Sequence, residues 1–220
     1  MKQCAPKSLQ RLMTMNILLN KLPETVKIDG KEIPINWDFR TSIKFQDVIL
    51  DKNLTEDEKL IKGLELYYPT REEGIYNIEE AFEKMLWFYS AGEVDPDDEE
   101  ESGIMPRGSN KQAFSYKYDA PYIYAAFLDQ YGIDFQEVDM HWWKFKALFD
   151  SFRDDLVISQ IIKYRTVSTS GMDKETASFY KKMKKIYALP KEISREEKKE
   201  LDELNKALAE GKDISELLKD

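Results

Sequence analysis

The sequence predicts a mostly α fold: a compact multi-helix domain with a small N-terminal β-hairpin and a long acidic mobile loop. Three observations lead there. Apolar residues recur at three- and four-residue spacing along most of the 220-residue chain. Capping pairs punctuate that pattern, Thr55 with Glu58, Asn77 with Glu80 and Ser194 with Glu197. Strict alternation occurs near the start, in "TVKIDGKEIPINW", on either side of Asp29 and Gly30.

The hairpin is expected first. Val26 and Ile28 alternate with polar residues, Asp-Gly tolerates the positive φ angles of a tight turn, and Ile33, Ile35 and Trp37 alternate again. Pro34 lacks an N–H, so its strand belongs at an edge. A lone hairpin is marginal in water and must pack on helices.

Helical signals follow. "DFRTSIKFQDVIL" brings Phe39, Ile43, Val48 and Ile49 near one face. "TEDEKLIKGLELYYP" opens on a capping box and stops before Pro69. "NIEEAFEKMLWFYSAG" carries a stripe of Ile78, Phe82, Met85, Leu86 and Tyr89 and ends at Gly92. Residues 92–108 break the pattern with glycine, proline and "EVDPDDEEE", which predicts the mobile loop.

The stretch from 118 to 152, "YDAPYIYAAFLDQYGIDFQEVDMHWWKFKALFDSF", resolves into two helices. Asp119 is expected to cap the first, Pro121 sits in its first turn, and Gly132 ends it. Asp139 is expected to cap the second, whose face includes Trp142, Phe145, Leu148, Phe149 and Phe152. Further helices are expected over residues 156–164 and 173–187, the latter closed by Pro190. The organisation is thus an extension at 1–14, a helical domain at 15–190 with its loop at 92–108, and a charged helical tail at 191–220. That tail has no aromatic residue and only a thin stripe of Leu201, Leu204 and Leu208.

Composition narrows the function classes. Hydrophobic residues at 42% supply a core, while charged residues at 34% and no apolar run near the ~18–20 residues of a spanning helix argue against a membrane protein. The net charge of −9 is concentrated in residues 93–101, which hold seven acidic side chains. Lysine and arginine are scattered among acids, so no nucleic-acid footprint is expected. A single cysteine, Cys4, allows no disulfide within a monomer and fits a reducing cytoplasm.

No catalytic, cofactor or metal constellation stands out. His141 is the only histidine, and beside two tryptophans it reads as a packing or hydrogen-bonding residue. The acidic run lacks the spacing of a calcium loop, and like charges so clustered usually stay solvated. P-loop, dinucleotide, G-x-S-x-G and H-E-x-x-H patterns do not occur. The expectation is a protein without enzymatic activity or cofactor.

The aromatics carry the binding expectation. Four Trp, twelve Tyr and eleven Phe exceed what one small helical core easily hides. Adjacent Trp142 and Trp143 point about 100° apart, so one should lie at a boundary. Trp143 is expected to face away from the core, with Lys144 beside it and Tyr124 on the preceding helix as its neighbours. These three residues are the candidate partner-binding site.

At "MHWWKFKALFDSF", preceded by "YDAPYIYAAFLDQYGID" and followed by "IIKYRT", the chain resembles the bacteriophage gene-product-fifteen family. "LPETVKIDGKEIPINWDFRTSIKFQ" and "EEAFEKMLWFYSAG" are similar to it as well, and the likeness covers roughly residues 15–190. These are small proteins of long-tailed phages and prophages of Gram-positive bacteria, encoded among tail genes near the tape measure protein. The resemblance implies a tail assembly chaperone, with no catalytic residues, that works in the host cytoplasm and is absent from the mature virion. Its implied partner is the tape measure protein, with another tail assembly chaperone or a second copy of itself as further partners. A phage effector that inhibits a host enzyme and a structural tail component are the alternatives.

Overall fold

The computed structural model describes residues 16–69, 77–92 and 112–190, together with Lys199 and Lys206. The expectations for the extension at 1–14, the acidic loop beyond Gly92 and the tail fall outside the described residues. Within them the fold is mostly α, with one two-stranded antiparallel hairpin near the N-terminus and seven helices.

The hairpin forms where alternation and Asp-Gly placed it. Strand β1 (Thr25–Ile28) pairs with β2 (Lys31–Pro34), Val26 opposite Ile33 and Lys27 opposite Glu32. Asp29 (φ 49°) and Gly30 (φ 74°) make the turn, both in the left-handed region that a tight hairpin needs. Pro34 occupies the last rung, opposite Thr25. Val26 and Ile28 are buried, and β1 packs on the third helix. The Asp29 N–H also donates to the Glu80 carboxylate at 2.8 Å, fixing the turn to that helix's first turn.

Helix α1 (Phe39–Leu50) is capped by Asp38, whose side chain accepts from the Arg40 N–H. It buries Phe39, Ser42, Phe45 and Ile49, so Ser42 and Phe45 join the face and Val48 lies at its margin. Helix α2 (Glu56–Tyr67) forms the expected capping box between Thr55 and Glu58. Its mid-helix Gly63 is buried because a Cβ there would lie 2.7 Å from the Phe45 ring and 3.2 Å from Met85. The missing side chain lets α1, α2 and α3 approach closely. Helix α3 (Ile78–Tyr89) is capped by Asn77 and buries Ala81, Met85 and Phe88, while Ile78 is exposed at its first turn.

Helix α4 (Ala120–Tyr131) carries Pro121 in its first turn and ends at Gly132 (φ 65°). There the Gly132 and Ile133 N–H groups return to the carbonyls of Leu128 and Phe127. Asp119 precedes α4 but makes no side-chain cap. Its buried carboxylate instead accepts from the Ser115 N–H and two arms of Arg165, at 2.9, 2.6 and 2.9 Å. A guanidinium within reach is a stronger partner than a helix N–H, and the carboxylate turns toward it.

Helix α5 (Trp142–Asp150) is capped by His141 rather than Asp139. Helix α6 (Val157–Thr166) and helix α7 (Lys174–Ile186) complete the described chain, α7 being capped by Asp173. The core gathers around Phe145. Its ring stacks on Phe39 at 4.8 Å, Phe127 at 4.8 Å and Trp142 at 5.7 Å, with Tyr116 edge-on at 5.9 Å. Phe114 and Tyr116, in the segment leading into α4, cover Phe149. One small helical domain therefore hides far more of its aromatic rings than composition suggests.

Candidate functional site

Two helix starts, those of α1 and α5, meet in one junction. Asp38 and His141 face each other in an isolated antiparallel bridge, the Phe39 N–H donating to the Met140 carbonyl at 2.9 Å and the Trp142 N–H to the Trp37 carbonyl at 2.8 Å. The bridge satisfies N–H groups at the first turns of α1 and α5 that no intrahelical carbonyl can reach. Arg40 fastens the same junction, donating to the carbonyls of Phe135 at 2.6 Å and Val138 at 3.2 Å and pairing with Asp38 and Asp139. Asp139 therefore binds a side chain from α1 and leaves the cap of α5 to its neighbour.

His141 is fixed at both ring nitrogens. Nδ1 accepts from the Trp143 N–H at 3.0 Å, and Nε2 lies 3.0 Å from the Pro23 carbonyl. Only the tautomer with its proton on Nε2 satisfies both contacts. Burial holds its pKa below the ordinary 6.5, against the pull of the Pro23 carbonyl and Glu24. The ring lies parallel to Trp37 and edge-on to Trp143, each at 6.0 Å. An open cleft lined by Lys21, Leu22, Glu24, Trp37 and His141 adjoins it. With Nδ1 spent on the helix and Nε2 on Pro23, the imidazole is a structural clamp, in keeping with the hydrogen-bonding role expected of it.

Trp143 does not lie at a boundary. It is 2% exposed, and its Nε1–H donates to the Phe88 carbonyl at 2.7 Å. Trp142 does the same toward the Tyr89 carbonyl at 2.7 Å. Two adjacent indoles thus cap consecutive carbonyls at the end of α3, where the last carbonyls lack intrahelical partners. Adjacent residues diverge by about 100°, yet the consecutive Phe88 and Tyr89 carbonyls receive both indoles. Trp143 also meets Trp87 edge-on at 5.1 Å, and Gly92 (φ 77°) leaves room for it, since a Cβ there would lie 3.1 Å from its ring.

The other two candidates are reachable from solvent but do not join Trp143. Lys144 is exposed on the outer side of α5. Tyr124 is half-buried on α4, where its hydroxyl donates to Asp134 at 2.7 Å and its ring leans on Phe135. That hydrogen bond raises the Tyr124 pKa and lowers that of Asp134. Tyr124 thus belongs to the α4–α5 connection and Trp143 to the α3 end. As an exposed partner contact, Trp143 is withdrawn by its burial.

The surface that sequence reading passed over lies on α7. This helix buries none of its residues. Tyr164 of α6 stacks on Tyr187 at 5.7 Å and meets Phe179 and Tyr180 at 6.1 and 6.2 Å. Lys184 donates to the Val167 carbonyl and Arg165 to the Tyr187 carbonyl, so the helix is held by one edge. The other edge is open: Phe179 is 49% and Ile186 58% exposed. Lys181, Lys182 and Lys185 stand exposed around it. The spacing of Phe179, Met183 and Ile186 was visible in "FYKKMKKIY" as an amphipathic basic helix.

Among the described residues no group of three or more His, Cys, Asp or Glu side chains is placed to hold a metal ion. No helix among them is long and apolar enough to cross a membrane.

The arrangement defines a mostly helical domain with an aromatic interior, an N-terminal hairpin and a basic amphipathic helix docked by one edge. Within that class, the chain belongs to the Bacteriophage Gp15 protein family, whose model matches residues 18–189. No curated protein and no solved structure matches the chain.

Proposed function

We propose that this phage protein is a tail assembly chaperone that binds and solubilises the tape measure protein during tail morphogenesis, without catalysis. Family membership supports the phage setting. The observation that carries the reading is the half-open apolar edge of α7, on a domain whose other aromatic side chains are mostly enclosed. A tape measure protein is long and helical, with apolar segments that would aggregate before the tail tube assembles around it. A modest apolar edge suits reversible cover, because a chaperone must leave. The acidic residues at 93–101 would keep the complex soluble by repulsion. This reading places the protein in the host cytoplasm, with a second tail assembly chaperone as a further partner.

Co-expression with the tape measure protein of the same phage tests it. The tape measure protein should move from the insoluble to the soluble fraction and co-elute with this chain, and mass spectrometry of purified virions should not find the chain. A tape measure protein equally soluble alone would end the chaperone reading. Stoichiometric presence in virions would favour a structural tail component.

A further inference from the structure

We infer that the open edge of α7 is a docking surface for a partner α-helix of amphipathic character whose apolar line is flanked by Glu and Asp. On a helical wheel Phe179, Met183 and Ile186 lie within about 60° of one another, at 100° per residue. Tyr180 and Tyr187, on the adjoining part of the same apolar stripe, are taken by Tyr164, which meets Phe179 only edge-on and leaves it 49% exposed. The stripe is therefore wider than its contact with α6 uses. The surplus runs along the helix axis for about two turns, roughly 10 Å at 1.5 Å per residue, which fits the i, i+4, i+7 anchors of one partner helix.

The lysines decide the partner's chemistry. Helix α7 holds Lys174, Lys181, Lys182, Lys184 and Lys185 against Glu175 alone, in a chain whose net charge is −9. Lys182 borders the open edge and Lys185 lies beyond it, so an acid-flanked helix is attracted on one side of its apolar contact. A second copy of this chain would bring the same lysines to that edge and be repelled. A polyanionic surface, nucleic acid or anionic membrane, would meet the overall negative charge of the protein. The tail from residue 191 lies beyond the family match, which ends at 189, whereas all of α7 lies inside it.

The identity of the natural partner rests on the chaperone reading; the chemistry of the surface does not. The test uses the full chain and two probes read by fluorescence anisotropy. One is a designed helical peptide with Leu at i, i+4 and i+7 flanked by Glu, compared with its Lys-flanked twin. The other is the tape measure sequence tiled as 30-residue peptides. The Glu-flanked peptide should bind at least tenfold tighter than its twin, and more weakly as salt rises. Phe179→Ser with Ile186→Ser should weaken it at least tenfold while the protein stays fully folded at the assay temperature. Lys182→Glu with Lys185→Glu should reverse the preference toward the Lys-flanked twin.

Equal binding of the two peptides, or binding untouched by these substitutions, overturns the inference. So does preferred binding of anionic vesicles, concentration-dependent self-association lost in the Phe179/Ile186 variant, or peptide binding that emerges only after residues 191–220 are removed. If the designed peptide behaves as expected and no tape measure tile binds, the docking surface stands and the chaperone reading falls. If tiles bind independently of α7, the chaperone reading stands and this surface is wrong.

Discussion

The α3–α5 junction and the α6–α7 arm are both built from aromatic residues on short helices, yet they end in opposite conditions. At the junction Trp142 and Trp143 drive their indole N–H groups into the carbonyls of Tyr89 and Phe88, and both rings are buried. On the arm Tyr164 clasps three rings, but α7 encloses none of its own residues. The difference lies in what surrounds the rings. Three helices and the segment 112–118 converge on α5, whereas among the described residues α7 packs on α6 and the turn beside it. An aromatic cluster marks a core where several elements converge, and a surface where one element ends the stack.

That contrast predicts its largest effect at Trp143. Trp143→Ala removes a fully buried ring and one of two donors to the Phe88 carbonyl, the other being the Ala91 N–H, so it should destabilise the fold by ~3–5 kcal/mol, chiefly through the cavity. Arg165→Met should be as severe. It strands the Asp119 carboxylate in a buried site, and loss of one partner of such a pair costs ~3–5 kcal/mol. Chemical denaturation followed by tryptophan fluorescence measures both. A Trp143→Ala protein within 1 kcal/mol of the parent, on the ~1 kcal/mol scale of ordinary substitutions, would dissolve the distinction between the regions.

An intermediate effect is expected where helices touch without side chains. Gly63→Ala adds a methyl 2.7 Å from the Phe45 ring. Better helix propensity returns about 1 kcal/mol, but overpacking costs ~1–3 kcal/mol, so a net loss of roughly 1 kcal/mol is expected. A stabilised variant would show that α1, α2 and α3 have slack, and that the core is looser than its ring stacking implies.

The elements were legible because their signals are local. Asp29-Gly30, the Thr55–Glu58 box, Asn77 and Gly132 act through backbone geometry within a few residues, and each sits where its residue type placed it. Asp119 and Asp139 misled for the complementary reason. Their cap positions were plausible, but Arg165 and Arg40 reach them from 46 and 99 residues away. The burial of Trp143 depended likewise on the end of α3, 55 residues earlier, which no periodicity within α5 reports. Exposure of α7 was hidden by the same blindness: a stripe of apolar residues does not say whether a neighbour arrives.

His141 offers a milder probe of the junction. Its folded pKa is depressed by burial, so the stability it provides is complete above about pH 6.5 and falls as pH drops through the lower folded value. Protonation would put a hydrogen on Nδ1 against the Trp143 N–H and undo the cap, worth about 1 kcal/mol. The melting temperature should therefore decline between pH 7 and pH 5 by more in the parent than in His141→Asn, since asparagine caps without titrating. Equal declines would locate the acid sensitivity elsewhere and leave the bridge between α1 and α5 indifferent to this ring's charge.

The smallest effect belongs to the arm. Phe179 and Ile186 are about half exposed, so replacing both with serine removes little buried area. Part of Phe179 does lean on Tyr164 at 6.1 Å, edge-on, and such a ring pair is worth ~0.5–1.5 kcal/mol beyond its area. The helix itself is secured elsewhere, by the Asp173 cap, the Tyr164–Tyr187 stack and the Arg165 and Lys184 bonds to carbonyls. Phe179→Ser with Ile186→Ser should accordingly lower stability by no more than about 1 kcal/mol and leave the far-UV spectrum of the parent. Hydrogen exchange would localise whatever is lost to residues 174–187 and spare α5. A loss comparable to that of Trp143→Ala, spread over the whole domain, would mean that α7 is part of the core and that its open edge is too tightly coupled to folding to serve a reversible partner.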